Sequence, residues 1–357
     1  MHNKFMLIGA LLLLAAALSA SDQPGPIIER VDAGVPGYDA TAIAQGRLDE
    51  VYVAAIKGRE LLIYTCRPNH VAEPRRIARL GLHPVLATDV AGNLYAAYLD
   101  PEQKTLNYAT NQSGSWMTMT IDANVADVTP SLAVDSLGRP HVAYVADDAK
   151  KTLRHSVYVN EMWKAEPIET LGWAGGNVSL AIDIRGKLHV SYFNGGEKLL
   201  KYATNSEGAW KSAAVISPLA TYGPVSSLAM DSRGRAHIAY FVTEPTSNHN
   251  LLMYASNAGG PWTFAQVDKV SQVNRFLSLA VDLPGRAHVT YFDEAAQQLR
   301  YAANTSGEWK DAVVDKIHGM GLWASMILGA AGDVHVSYLG ESSLWHARFP
   351  QGYNSAR

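Results

Sequence analysis

The sequence predicts an all-β fold, a seven-bladed β-propeller with four antiparallel strands per blade, and three observations lead to it. The first is a phrase of two short strands around a turn. It reads "SLAIDIRGKLHVSYF" from Ser179 and recurs from Ser131, Ser227 and Ser278, with looser copies from Ala42, Val85 and Ser325. The second is its spacing: the His or Tyr opening each second strand falls at Tyr52, Tyr95, His141, His189, His237, His288 and His335, at intervals of 43 to 51 residues. That is the size of a propeller blade. The third is a further pair of strand signals in most units. "LNYAT" from Leu106, "LKYAT" from Leu200, "LMYAS" from Leu252 and "LRYAA" from Leu299 are each followed by a turn and a fourth strand.

Taken from the N-terminus, His2 and Lys4 precede the apolar run Phe5 to Leu18, and Ser19, Ala20 and Ser21 follow it. Residues 1–21 therefore read as a cleaved export signal, which predicts a secreted or periplasmic protein. The run of 14 residues is short of the ~20 needed to span a bilayer. No cysteine directly follows it to accept a lipid, so no membrane attachment is expected after cleavage. Residues 22–357 then form a single domain, with the seven repeats over about 40–349.

The last unit ends after "LWHARF" (Leu344 to Phe349) with no fourth strand of its own. The segment at about 26–32, "PIIERVD", resembles the other fourth strands, and Asp32 precedes Ala42 by the same ten residues that separate Asp315 from Ser325. The N-terminal strand is thus expected to complete blade seven and close the ring, removing the open edges. The Asp-x-x-Gly turns at Asp89, Asp135, Asp183, Asp231 and Asp282 suit an aspartate that bonds backbone amides beside a left-handed glycine. The Asn-x-x-Gly-x-Trp turns carry Trp116, Trp210, Trp262 and Trp309, expected to pack between blades. Both kinds of turn fall on one face, which leaves the variable loops to the other.

Composition narrows the function. The chain is 48% hydrophobic and 18% charged over 357 residues, with a net charge of -3, which suits a large packed core and offers no basic field for nucleic acid. Cys66 is the only cysteine, so an internal disulfide and a cysteine metal cluster are excluded. One carboxylate per turn is far short of a calcium site. No metal or cofactor is expected. Five of the twelve histidines hold one repeat position, where each would bond a Ser or Asp of the first strand, such as Ser179 or Asp183.

Seven such units with a glycine-tryptophan hairpin resemble the BNR/sialidase-like propellers over essentially the whole mature chain. The hairpins differ from that family's S-x-D-x-G-x-x-W box, since here asparagine stands three residues before the glycine, as in Asn205-x-x-Gly208-x-Trp210. The family's Arg-Ile-Pro signature has its nearest counterpart in "RRIAR" at Arg75 to Arg79, which lacks the proline. The resemblance implies a propeller fold and carbohydrate as the ligand class.

Function is expected where the repeats differ. Candidate ligand-binding residues on the variable face are Trp173, Asn177, Tyr222, Asn274, Arg275, Trp323, Tyr38 and His83, which offer stacking faces and hydrogen-bonding groups of the kind that hold sugars. The expected function is non-catalytic binding of carbohydrate or of a cell-surface or extracellular protein. The alternative is a polysaccharide-active lyase or hydrolase, for which Asp147, Asp148, Asp293, Glu294 and Glu244 are the acid/base candidates.

Overall fold

The innermost strand of each unit touches its counterparts in the two neighbouring units, and the strand Tyr38–Gln45 touches Ser325–Leu328, so seven sheets close into a ring. The computed structural model describes residues 25–353 except 33–37, 48–49, 69, 174–175, 216–220, 244–249, 271–275 and 317–322, with backbone alone at 38–39 and 221–224. The export segment therefore lies outside the described residues. Blade four shows the plan, with Val178–Ile182, Leu188–Asn194, Leu199–Thr204 and Lys211–Ala214 antiparallel in that order. Second strands are flanked by strands on both edges and packed on both faces. "PHVAYV" at Pro140–Val145 is accordingly buried at every position, and so it reads as a continuous apolar run. Cys66 lies buried in strand three of blade one, and burial with the charge of Glu29 pushes its thiol up to about 12.

Closure occurs as the sequence predicts. Ile27–Asp32 pairs antiparallel with Ser343–Pro350, in the register Ile27↔Arg348, Glu29↔His346 and Asp32↔Leu344. Val31 is buried and Ile28 packs on the blade-seven core, whereas Ile27 stays 59% exposed. Blade one departs from the four-strand plan. Its outer edge is split between His70–Val71 and Arg75–Ala78, both paired to Glu60–Arg67, because Pro68 and Pro74 interrupt the segment.

Each repeated residue has a structural task. Asp183 accepts backbone hydrogen bonds from Arg185 and Lys187, both at 2.8 Å, and Gly186 takes φ +73°. Asn205 accepts from the Leu188 amide at 2.8 Å, which ties the strand-three/four turn to the start of strand two and puts both turns on one face. Trp210, Trp262 and Trp309 reach the strand-three ring of the preceding blade, at centroid distances of 5.8 Å to His155, 5.4 Å to Tyr202 and 5.1 Å to Tyr254.

Two seam devices complete the ring. A serine in the first strand of blades three to six accepts the backbone N–H of the next blade's first strand: Leu180 to Ser131 at 2.9 Å, Leu228 to Ser179 at 2.9 Å, Leu279 to Ser227 at 3.0 Å and Met326 to Ser278 at 3.1 Å. The tyrosine of strand two donates to a carboxylate on strand four of the preceding blade: Tyr144 to Asp122 at 2.5 Å, Tyr291 to Asp268 at 2.6 Å, Tyr338 to Asp315 at 2.8 Å, and Tyr192 to Glu169. Asp32 on the closing strand extends this device into blade one, where it accepts from Tyr64 at 2.6 Å and from Lys57 at 2.8 Å.

The histidine expectation needs one correction. His189 does face Asp183, at 3.5 Å, but its hydrogen bond runs between Nδ1 and the Tyr202 hydroxyl at 2.6 Å. Ser179 is not its partner, because that hydroxyl serves the next blade. The expected aspartate bond is present at His141 with Asp135 and at His288 with Asp282, both at 3.4 Å, while His141 and His335 also pair with His155 and His346, each at 2.9 Å. Burial pushes His141 down to about 4 and His346 to about 3, and lowers His155, His189, His237 and His288 below the usual 6.5.

The sign of the consequence is fixed. Above pH 6.5 these imidazoles are neutral whether the chain is folded or unfolded, and below it the unfolded chain binds protons first. Thermal unfolding followed across pH is therefore expected to show Tm falling steadily from pH 6.5 towards about 4. A flat profile over that window would contradict the buried neutral histidines.

Candidate functional site

Strand direction places the described lead-ins to the first strands on the loop face, around the central mouth. Two of them, with His83 near the start of the strand Leu82–Thr88, bring aromatic rings together there. Trp323, just before Ser325–Leu328 of blade seven, lies 4.5 Å from Phe276 of blade six and 5.4 Å from His83 of blade two, centroid to centroid. It also packs on core residues of blades one, two and seven, so the ring is half-buried and bridges several blades. Trp323 and His83 both take left-handed backbone, with φ of +68° and +50°. Such a conformation is unfavourable for bulky residues and persists only where the surroundings impose it.

A charge-bearing pair lies beside these rings. His83 Nε2 stands 3.0 Å from Asp127 Oδ1, and His83 Nδ1 lies 3.4 Å from the Thr129 hydroxyl. Asp127 is on the lead-in to blade three and its carboxylate is largely exposed. Trp173, on the lead-in to blade four, is 53% exposed. Its ring meets Phe193 edge-on at 6.3 Å and covers Gly195, where an added Cβ would come within 2.5 Å of the indole. Gly195 is thus needed to let the indole lie flat.

The other expected residues divide. Asn177 is committed to the ring: its amide donates to the Ser226 carbonyl and accepts from the Ser226 N–H, both at 2.9 Å. Tyr222 and Tyr38 lie in strands, opposite Val242 and Lys57, and not in loops. Asn274, Arg275 and Glu244 lie outside the described residues. Among the acids, Asp147 is ion-paired with Lys151, which holds its carboxyl below the usual range. Asp148 is held low chiefly by its hydrogen bonding with Thr152. Both are therefore ionised near neutrality and unsuited to donating a proton. Asp293 caps a turn by accepting from Ala296 at 3.2 Å, and the Glu294 carbonyl accepts from Gln297 at 2.6 Å in that turn.

Phe276, Asp127 and Thr129 are mouth residues that sequence reasoning missed. Their only signal is their place a few residues before a first strand. A second concavity, of about 400 Å³, lies between blades one and two and is lined by Tyr98, Asp100, Gln103, Asn107 and Thr118. It opens where Ala78, opposite Leu61, replaces the carboxylate found at other seams. Among the described residues no group of three His, Cys, Asp or Glu side chains is arranged to hold a metal ion.

No family model matches the chain, and no curated protein matches it. Solved structures do. The Aleuria aurantia lectin, described as a six-bladed β-propeller with a novel fucose recognition mode, aligns with a TM-score of 0.54 at 13% identity, covering 82% of this chain and 100% of the lectin. A streptogramin B lyase aligns at 0.60 with 9% identity, covering 91% of this chain and 98% of that one. A Hadza microbial sialidase aligns at 0.51 with 11% identity, covering 85% and 73%. At such identities the likeness defines the class, a β-propeller, and nothing narrower.

Proposed function

We propose that the chain is a secreted, non-catalytic β-propeller that binds carbohydrate at the loop-face mouth. Trp173 serves as the exposed stacking platform, and Trp323, Phe276 and His83 form an aromatic floor. The convergence of those three rings from three different blades, two of them held in left-handed backbone, carries the reading. Aromatic faces beside a few polar groups suit the apolar faces and hydroxyls of a sugar ring. The presence of a fucose-recognising lectin and a sialidase among the structural neighbours supports the ligand class, as does the BNR-like pattern of glycine-tryptophan hairpins. Asp147 and Asp148, held ionised by Lys151 and by the Thr152 turn, leave neither of that pair to serve as the acid of a glycoside hydrolase. Export follows from the segment at residues 1–21.

One observation favours the second reading, a polysaccharide lyase: His83 and Asp127 form an imidazole-carboxylate pair of the kind used for proton abstraction. A glycan array run beside a uronate lyase screen separates the two. Saturable binding of one glycan class without turnover is expected. Turnover lost on His83→Gln would establish the lyase, and silence in both assays would point to a protein partner.

A further inference from the structure

One spacing recurs through blades two to six and fails in blade one. In blades one to six the strand-three residue opposite the repeat-position His or Tyr is followed six positions later by the seam position. That position holds Trp116, Trp163, Trp210, Trp262 and Trp309 in blades two to six, but Val71 in blade one. Blade three keeps the spacing although its turn is the two-residue Asn160–Glu161, both left-handed.

The seam between blades three and four shows what the indole does. His141 and His155 are hydrogen-bonded at 2.9 Å with their rings stacked at 14°. His155 lies opposite Glu166 in register, and Trp210 crosses from blade four to donate its indole N–H to Glu166 Oε1 at 2.8 Å. Blade seven repeats the stacked pair and sets a carboxylate opposite it, without the 3.0 Å bond that His155 Nδ1 makes to Glu166. His335 and His346 are bonded at 2.9 Å with rings stacked at 10°, and His346 lies opposite Glu29 as His155 lies opposite Glu166. Blade one has Val71 at the tryptophan's position, and the seam leaves a partly open cavity of about 110 Å³, lined by Glu29, His346, Val51, Cys66, Arg67 and Pro68 but not by Val71 itself.

We propose that this cavity is a binding site for a small planar N–H heteroaromatic of indole size. Its ring would lie against His346, and Glu29 would accept its N–H as Glu166 accepts that of Trp210. The cavity is smaller than the ~150 Å³ apolar cavity that takes benzene, but it is open to solvent on one side, so one ring of the ligand would seat in it while the rest reaches the mouth. Arg67 and Arg348, the cations at the cavity wall, are committed to Glu50 and Asp333, so Glu29 keeps its acceptor role. Because the cavity joins the first and last blades, such a ligand binds only the closed ring and raises its stability by mass action. The site lies towards the turn face and is independent of the carbohydrate reading.

The test titrates the full chain with indole to roughly 5 mM, following the ring-proton resonances of His335 and His346 together with Tm. Saturable shifts of both histidines with a rising Tm are expected. 1-Methylindole, which has no N–H, should bind about tenfold more weakly, and so should indole to Glu29→Ala. Val71→Trp, which supplies the ring from the chain itself, should remove indole binding. If that variant fails to fold, Glu29→Ala and 1-methylindole decide. Absence of saturable shifts, equal binding of 1-methylindole, or unchanged affinity in the variants would overturn the proposal.

Discussion

A chain lacking residues 22–34 is expected to aggregate or to melt far below the intact protein. The deletion strips the outer strand from blade seven and exposes the backbone of Ser343–Pro350 as an open edge, a template for pairing with other chains. It removes the packing of Ile28 and Val31, each worth roughly 1.5 to 3 kcal/mol. It also removes Asp32, which holds Tyr64 and Lys57 across the seam to blade one. The loss is cooperative, because that seam joins the ring's two ends. Thermal scanning with size-exclusion chromatography measures it, and an unchanged Tm with monomeric elution would contradict closure by the N-terminal strand.

Trp210→Ala should cost roughly 3 kcal/mol, at the low end of losses for truncating a packed tryptophan because the ring is half-buried. Two contributions combine: the contact with His155 across the seam, and the hydrogen bond to Glu166, whose carboxylate is left with one partner fewer. Chemical denaturation should show a lower midpoint. Stability within about 0.5 kcal/mol of the parent, the usual range for surface substitutions, would mean the indole does not join the blades.

The ring was legible in the sequence because each blade repeats the same local grammar. Asp183 and Gly186 make their turn from neighbours four residues apart, and the ten-residue interval to Asp32 was enough to find the closing strand. What escaped notice crosses a seam. Ser179 and His189 share a phrase, yet the serine's partner is Leu228, 49 positions away. The Tyr291 hydroxyl likewise finds Asp268 from the preceding blade. Trp163 was overlooked because its turn lacks the glycine, although the six-residue spacing holds.

The candidate site was legible only in outline. Its residues are by nature unrepeated, and whether such a residue faces solvent or spans to the next blade depends on loop geometry. Asn177 spans to the next blade and Trp173 faces solvent, although they are four positions apart. Trp323 does some of both. Named as a ligand-stacking ring, it is half-buried against Phe276 and His83, so its truncation should cost stability as well as affinity.

The central claim is that repeated residues hold the ring while unrepeated ones on the loop face hold a sugar. Calorimetric titration of the glycan identified on the array against Trp173→Ala and Trp210→Ala tests it most directly. Trp173→Ala should bind five- to thirtyfold more weakly, about 1 to 2 kcal/mol of lost stacking, at an unchanged Tm. Trp210→Ala should keep its affinity while melting earlier. Unchanged affinity in Trp173→Ala, or equal losses of affinity in both variants, would contradict the account.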